Sequence, residues 1–172
     1  MLTRQQLIEA YKDACEIELR AFKPGNVSIY ADGHDMTVED FRISARQSAE
    51  PITHATYGLG ERIYYAVKAT REAVGCNTNL GIILLCAPLL LAAEQASSIK
   101  HLRERLAAIL SSTSIEDAEW VFRAITLAAP GGLGKSAEQD VAEKPALNLT
   151  QAMRIASNRD RVALQFVTNY KD

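Results

Sequence analysis

The run Leu80-Gly81-Ile82-Ile83-Leu84-Leu85-Cys86-Ala87-Pro88-Leu89-Leu90-Leu91-Ala92-Ala93 decides the fold. It is uncharged and apolar on every side, yet at about 14 residues it falls short of the roughly 20 that span a bilayer. A helix that is apolar all round and too short for a membrane belongs in the middle of a globular core. Pro88 is expected to kink or divide it. The turn before it, Cys76-Asn77-Thr78-Asn79, offers Asn77 or Thr78 as its cap, and Gly75 closes an amphipathic helix running from about 59 to 74.

Working outward, the pattern stays helical. Ile8, Tyr11, Ala14, Cys15, Glu18 and Phe22 recur at helical spacing, and Thr3 with Gln6 has the form of a capping box. Lys23-Pro24-Gly25-Asn26 stops that helix, and a polar loop leads to Asp32-Gly33-His34-Asp35-Met36. Thr37 with Asp40 opens a short helix over Val38, Phe41, Ser44 and Ala45, and Pro51 and Gly58 bracket the next connection. Helices are predicted over 99–111 and 115–129, the second capped by Ser114. Pro130 to Pro145 is the longest irregular stretch, and a last helical segment runs from near Asn148 to the end. No alternating β-branched run or Asn-Gly hairpin signal occurs, so the prediction is all-α: one multi-helix domain over 1–172, with functional loops at helix ends.

Composition narrows the partners. The chain has 172 residues, 48% hydrophobic and 23% charged, which is too apolar for disorder. Nineteen basic against 21 acidic side chains leave a net charge of −2, and aromatics are 6%, so neither a generic grip on nucleic acid nor a base-stacking platform is expected. Cys15, Cys76 and Cys86 form no CxxC pair and no zinc spacing. Reduced thiols in a cytoplasmic protein, with no membrane span, are the expectation. The final helix keeps Val162, Leu164, Phe166, Val167 and Tyr170 apolar up to Asp172. That predicts a homo-oligomer or other partner surface, a chain cut before its natural end, or plain docking on the core.

Three loops carry the residues suited to chemistry: 23–36, 75–81 and 130–141. Lys23 sets a cation on a rigid turn beside Gly25 and Asn26. Asn77, Thr78 and Asn79 place amides and a hydroxyl at a helix start, where free N–H groups attract anions. Gly131, Gly132 and Gly134 allow backbone to approach a ligand closely. Gly131 to Ser136 ends like a phosphate-binding loop, but Ala129 stands where its first glycine is required and a helix rather than a strand precedes it, so that reading is rejected.

Taken together and in order, these segments resemble the triphosphoribosyl-dephospho-CoA synthase family. The likeness rests on Glu18 with Lys23-Pro24-Gly25-Asn26-Val27, Gly33-His34-Asp35-Met36, Phe41 and Ser44-Ala45. It continues in Gly75 to Gly81, in the glycines 131–134 with Asp140-Val141, and in Arg159-Asp160-Arg161-Val162-Ala163. The resemblance implies an all-α transferase of coenzyme biosynthesis. Such an enzyme takes ATP as ribosyl donor, expels adenine, and joins the anomeric carbon to a ribose hydroxyl of dephospho-CoA. It further implies Glu18, His34 and Asp35 as catalytic groups, with Glu18 and Asp35 holding Mg²⁺ brought by ATP. Lys23, Gly25, Asn26, Ser44, Asn77, Thr78, Asn79, Gly81, Gly131, Gly132, Gly134 and Asp160 are then substrate-binding. Without that likeness, Glu18 and Asp160 read equally as solvated helix charges, Asp35 as a charge at a helix start and His34 as a loop residue.

Two departures bear on the activity. The family carries His-Lys after the Asn-Thr, where this chain has Asn79-Leu80. Its His-x-Asp-Met is here His34-Asp35-Met36, one residue short. A divergent member with another acceptor, or a binding or interaction protein that kept the fold without the chemistry, are the readings these departures open.

Overall fold

Capping signals place the helices. In the computed structural model, which describes residues 1–21, 36–129 and 143–171, α1 (Arg4–Arg20) starts at Thr3 and α2 (Val38–Ile52) at Thr37, each with the reciprocal bonds of a capping box to Gln6 or Asp40. α3 (Leu59–Val74) ends on Gly75, whose φ of 71° is the left-handed conformation glycine adopts without strain. α4 (Leu80–Ala93) follows, then α5 (Ile99–Ser111), α6 (Ile115–Ala128), α7 (Leu149–Ala156) and α8 (Arg161–Thr168). No strand occurs among the described residues, and none of their helices is long and apolar enough to cross a membrane.

Three expectations are corrected. Pro51 belongs to the last turn of α2 rather than to a connection, because Ile52 beyond it is fully buried and His54 N–H donates to the Pro51 carbonyl. Pro88 does not divide α4. A proline inside a helix costs about 3 kcal/mol, whereas burying a large apolar side chain contributes about 1.5–3 kcal/mol, and Ile83, Leu84 and Leu90 are buried on both sides of it. The last segment is two helices rather than one. Asp160 accepts from the N–H groups of Val162 and Ala163 at 2.7 and 3.0 Å and restarts the chain as α8.

The first four helices alternate in direction. Arg4 of α1 donates to the Glu50 carboxylate and the Thr53 carbonyl near the end of α2, while Arg42 near the start of α2 pairs with Glu16. Thr70, late in α3, meets Asn79 before α4, and Arg62, early in α3, meets Glu94 after it. α6 instead runs parallel to α3. The Gly60 N–H donates to Asp117 at 3.0 Å, and Tyr64 packs on Trp120 at 5.1 Å with Arg123 over its ring. A Cβ at Gly60 would lie 2.8 Å from the Asp117 Cα and the Trp120 Cβ, so this close crossing requires glycine.

α8 begins beside the first turn of α4, where a Cβ at Gly81 would meet Val162 at 4.0 Å, and Tyr170 beyond its end donates to the Leu85 carbonyl at 2.9 Å. Ala163 and Phe166 are buried. The apolar face of the last helix is thus docked on the core.

These directions gather the ends of α1, α3 and α6 and the starts of α2, α4 and α8 at one end of the molecule. Ala21 and Met36, flanking residues 22–35, also lie at this end, since Met36 packs against Leu19 and Phe41.

Candidate functional site

The turn between α3 and α4 is the best-defined part of that end. After Gly75 the chain turns through Cys76, Asn77 and Thr78 to Asn79, the N-cap of α4. The capping bond comes from a different residue: Asn77 Oδ1 accepts the Leu80 N–H at 3.3 Å. Asn79 makes no side-chain cap bond and is 5% exposed. The N–H groups of Gly81 and Ile82 follow in the first turn, where helix geometry provides no intrahelical acceptor.

Asn79 turns inward because its amide is held at both ends. Its Oδ1 accepts from Thr70 Oγ1 of α3 at 3.1 Å, and its Nδ2 donates to Ser48 Oγ of α2 at 3.2 Å. The single Ser48 hydroxyl proton goes to the Ser44 carbonyl at 2.6 Å, so Tyr11 is the donor in its 2.8 Å bond with Ser48. A parallel chain runs from Thr78 Oγ1 to Ser44 Oγ and on to the Asp40 carbonyl, both at 2.6 Å. These seven residues join α1, α2, α3 and the turn through uncharged groups alone, Asp40 contributing its carbonyl. Burial pushes the Tyr11 phenol well above its usual range, which keeps it a donor.

The structure therefore brings Ser44, Asn77, Thr78, Asn79 and Gly81 together. Glu18 lies in the last turn of α1 at the same end, with its Oε2 shielded from solvent. Asp160 opens α8 beside Gly81, its Oδ1 engaged as the cap of its own helix. Leu80 packs against the core. Lys23, Gly25, Asn26, His34 and Asp35, and Gly131, Gly132 and Gly134, lie outside the described residues. Tyr11, Ser48 and Thr70 were missed by sequence reasoning. The available signal was Ser44 and Ser48, four apart on a stripe otherwise made of Phe41, Ala45, Ala49 and Ile52.

Next to the network lie two thiols. Burial drives Cys15 up to about 12, with the nearby Cys86 and Glu18 adding to the rise, and drives Cys86 up to about 11. Neither is a nucleophile at neutral pH. No group of three or more His, Cys, Asp or Glu side chains placed to hold a metal occurs among the described residues. A Mg²⁺ carried by a triphosphate needs only one or two protein carboxylates, its remaining ligands being phosphate oxygens and water.

A family model for ATP:dephospho-CoA triphosphoribosyl transferase (CitG) matches residues 4–172. The chain belongs to this family. The match spans all eight described helices and every segment on which the resemblance rests. No curated protein matches the chain, and no solved structure does. Membership makes this a chain of the triphosphoribosyl-dephospho-CoA synthase type.

Proposed function

We propose that the chain transfers a triphosphoribosyl group from ATP to a ribose hydroxyl of dephospho-CoA, or of another coenzyme precursor, with release of adenine. The observation that carries this reading is the meeting of the Asn77–Gly81 turn, the end of α1 with Glu18 and the start of α8 with Asp160 at one end of the helices. An anionic substrate finds N–H donors there at the start of α4. Packing would accept a methyl at Gly81, whose Cβ would meet only Val162 at 4.0 Å, so glycine serves to keep that first turn open to a ligand.

In the transfer, the bond from the anomeric carbon to the adenine nitrogen breaks and a bond to the acceptor oxygen forms. Adenine gains a proton and the acceptor hydroxyl loses one. Positive charge develops on the sugar, and Glu18 is assigned to stabilise it; His34 is assigned to protonate the departing base and Asp35 to take the acceptor's proton. Mg²⁺ arriving with ATP offsets the triphosphate charge, with Glu18 and Asp35 as its protein ligands. Lys23, Gly25, Asn26 and the glycines 131, 132 and 134 complete the substrate contacts.

The observation that favours a second reading is Leu80. A leucine packed into the core supplies no cation for the triphosphate, which fits a nucleotide-binding member that no longer transfers.

The test is calorimetric titration of ATP with and without Mg²⁺, then chromatography for free adenine after adding dephospho-CoA. Mg²⁺-dependent binding with adenine release is expected, with Glu18→Gln binding ATP but releasing adenine at least about a hundredfold more slowly. Binding without release for any acceptor supports the second reading; no binding overturns both.

A further inference from the structure

The network behind the turn has more connections than the turn needs merely to be buried. Asn79 has no cap bond of its own, and its amide is clamped by Thr70 from α3 and Ser48 from α2. Ser48 is oriented in turn, because its proton is committed to the Ser44 carbonyl and Tyr11 donates into it from α1. Three helices thereby fix one amide. That amide sits at the N-cap, so its orientation sets the backbone of Thr78 to Gly81, whose donors face the proposed anion.

We propose that Ser48 and Thr70 are positioning residues for ATP, holding the Asn77–Gly81 turn through the two ends of the Asn79 amide. This rests on the reading of that turn as the triphosphate site. Neither residue touches substrate. Thr78 is committed as well: its hydroxyl donates to Ser44 and that of Ser44 to the Asp40 carbonyl. Thr78 can therefore offer a ligand lone pairs and a backbone N–H, but no hydroxyl proton. A phosphate carries acceptors, so the direct contacts fall to backbone N–H groups, whose placement is what Ser48 and Thr70 control.

The roles predict a split in the kinetics. Thr70→Val keeps the volume and removes the donor to Asn79 Oδ1; Ser48→Ala removes the acceptor of Asn79 Nδ2. Each should raise KM for ATP about tenfold, with KM for dephospho-CoA unchanged and kcat within about threefold. Thr70→Ser restores the hydroxyl and should restore KM. In an Asn79→Ala background, Ser48→Ala should raise KM for ATP no further, since its route to the turn is gone. Tyr11→Phe leaves both clamps on Asn79 and should lower thermal stability with little change in KM.

Wild-type protein is titrated with Mg²⁺ and ATP first. If it neither binds ATP nor releases adenine, the triphosphate reading fails and the positioning role with it. If it is active and Thr70→Val and Ser48→Ala lower only the melting temperature, the positioning role alone is overturned. The same holds if their effects add fully to that of Asn79→Ala. Should Ser48→Ala fail to fold, Thr70→Val against Thr70→Ser decides the question alone.

Discussion

Polar groups enter the core at both ends of α3, and the two ends do it differently. Near its start, the guanidinium of Arg62 is 1% exposed and binds both oxygens of Glu94 at 2.6 and 3.0 Å. Its Nε also donates to the Tyr57 carbonyl at 3.0 Å. Near its end, Thr70 enters the lattice of hydroxyls and amides behind the Asn77–Gly81 turn, which holds no charge. A bidentate ion pair is strong and needs few partners, so one arginine ties α3 to the exits of α2 and α4. Short neutral side chains are individually weaker, but they fix the shape of a turn without adding a charge that would compete for a ligand. The charged end locks the helices together; the neutral end shapes a surface.

The largest effect is expected where that lock is broken. Arg62→Ala leaves Glu94 without its cation and the Tyr57 carbonyl without a donor. Glu94 is 25% exposed and regains some water, which places the expected loss near the lower end of the range for a broken buried pair, about 3 kcal/mol. Chemical denaturation would show it as a lower midpoint. Nucleotide affinity measured below the new midpoint should be unchanged, because nothing of the Asn79 lattice is touched. A loss of ATP binding in folded Arg62→Ala protein would erase the division between the two ends.

The second effect sharpens the contrast by pH. The lattice of Tyr11, Ser44, Ser48, Thr70, Thr78 and Asn79 side chains contains no group that titrates near neutrality, but it borders Cys15 and Cys86, raised by burial from the ordinary 9.0 to about 12 and about 11. A raised acid binds its proton more tightly in the folded state. Stability from these thiols is therefore complete below about pH 9 and is lost as pH rises through the folded values. Thermal unfolding should give a flat melting temperature between pH 7 and 9 and a falling one above it, and serine at both positions should flatten the fall. At the acid side an exposed pair on the outer surface responds. Glu16, held below its usual range by its bonds to Arg42 and Arg20, contributes stability above the ordinary carboxylate pKa and loses it as pH falls.

How much of this was legible in the sequence follows the range of the interaction. Thr3 with Gln6, Thr37 with Asp40, Ser114 and Gly75 act within one helical turn, and each marked its helix end correctly. Pro51 was over-read, because local cost was weighed without the burial that outweighs it, and of the kink or division expected at Pro88 the division does not occur. Asp160 was read as a site acid through family likeness; that its Oδ1 also caps α8 was not read. Thr78 and Asn79 were legible as an amide and a hydroxyl at a helix start, whereas Ser44 was legible only through family likeness. What joins them, Tyr11, Ser48 and Thr70, lies 9 to 37 residues away along the chain from its partners. Neutral polar residues on an apolar stripe carry no local sign of whom they meet. The Arg62–Glu94 pair is hidden for the same reason: 32 residues apart, each reads as an ordinary surface charge on its own helix.

The smallest effect concerns two helix ends at the site. α3 and α6 run in parallel and stop at the same end, each on a left-handed residue, Gly75 at φ 71° and Ala129 at φ 45°. Only the residue type differs. A Cβ at Gly75 would find nothing within 4 Å, so any cost of Gly75→Ala comes from the backbone alone. The left-handed conformation costs an L-residue about 1–2 kcal/mol, offset in part by the lower entropy of the unfolded chain. Gly75→Ala should destabilise by about 1 kcal/mol, and Ala129→Gly should stabilise by about 0.5–1 kcal/mol. Denaturation midpoints would measure both, and the double exchange should fall close to wild type, since the two caps share no contact. If Ala129→Gly destabilised instead, the alanine methyl would be making a packing contact whose loss outweighs the relieved strain, and the two stops would no longer be equivalent.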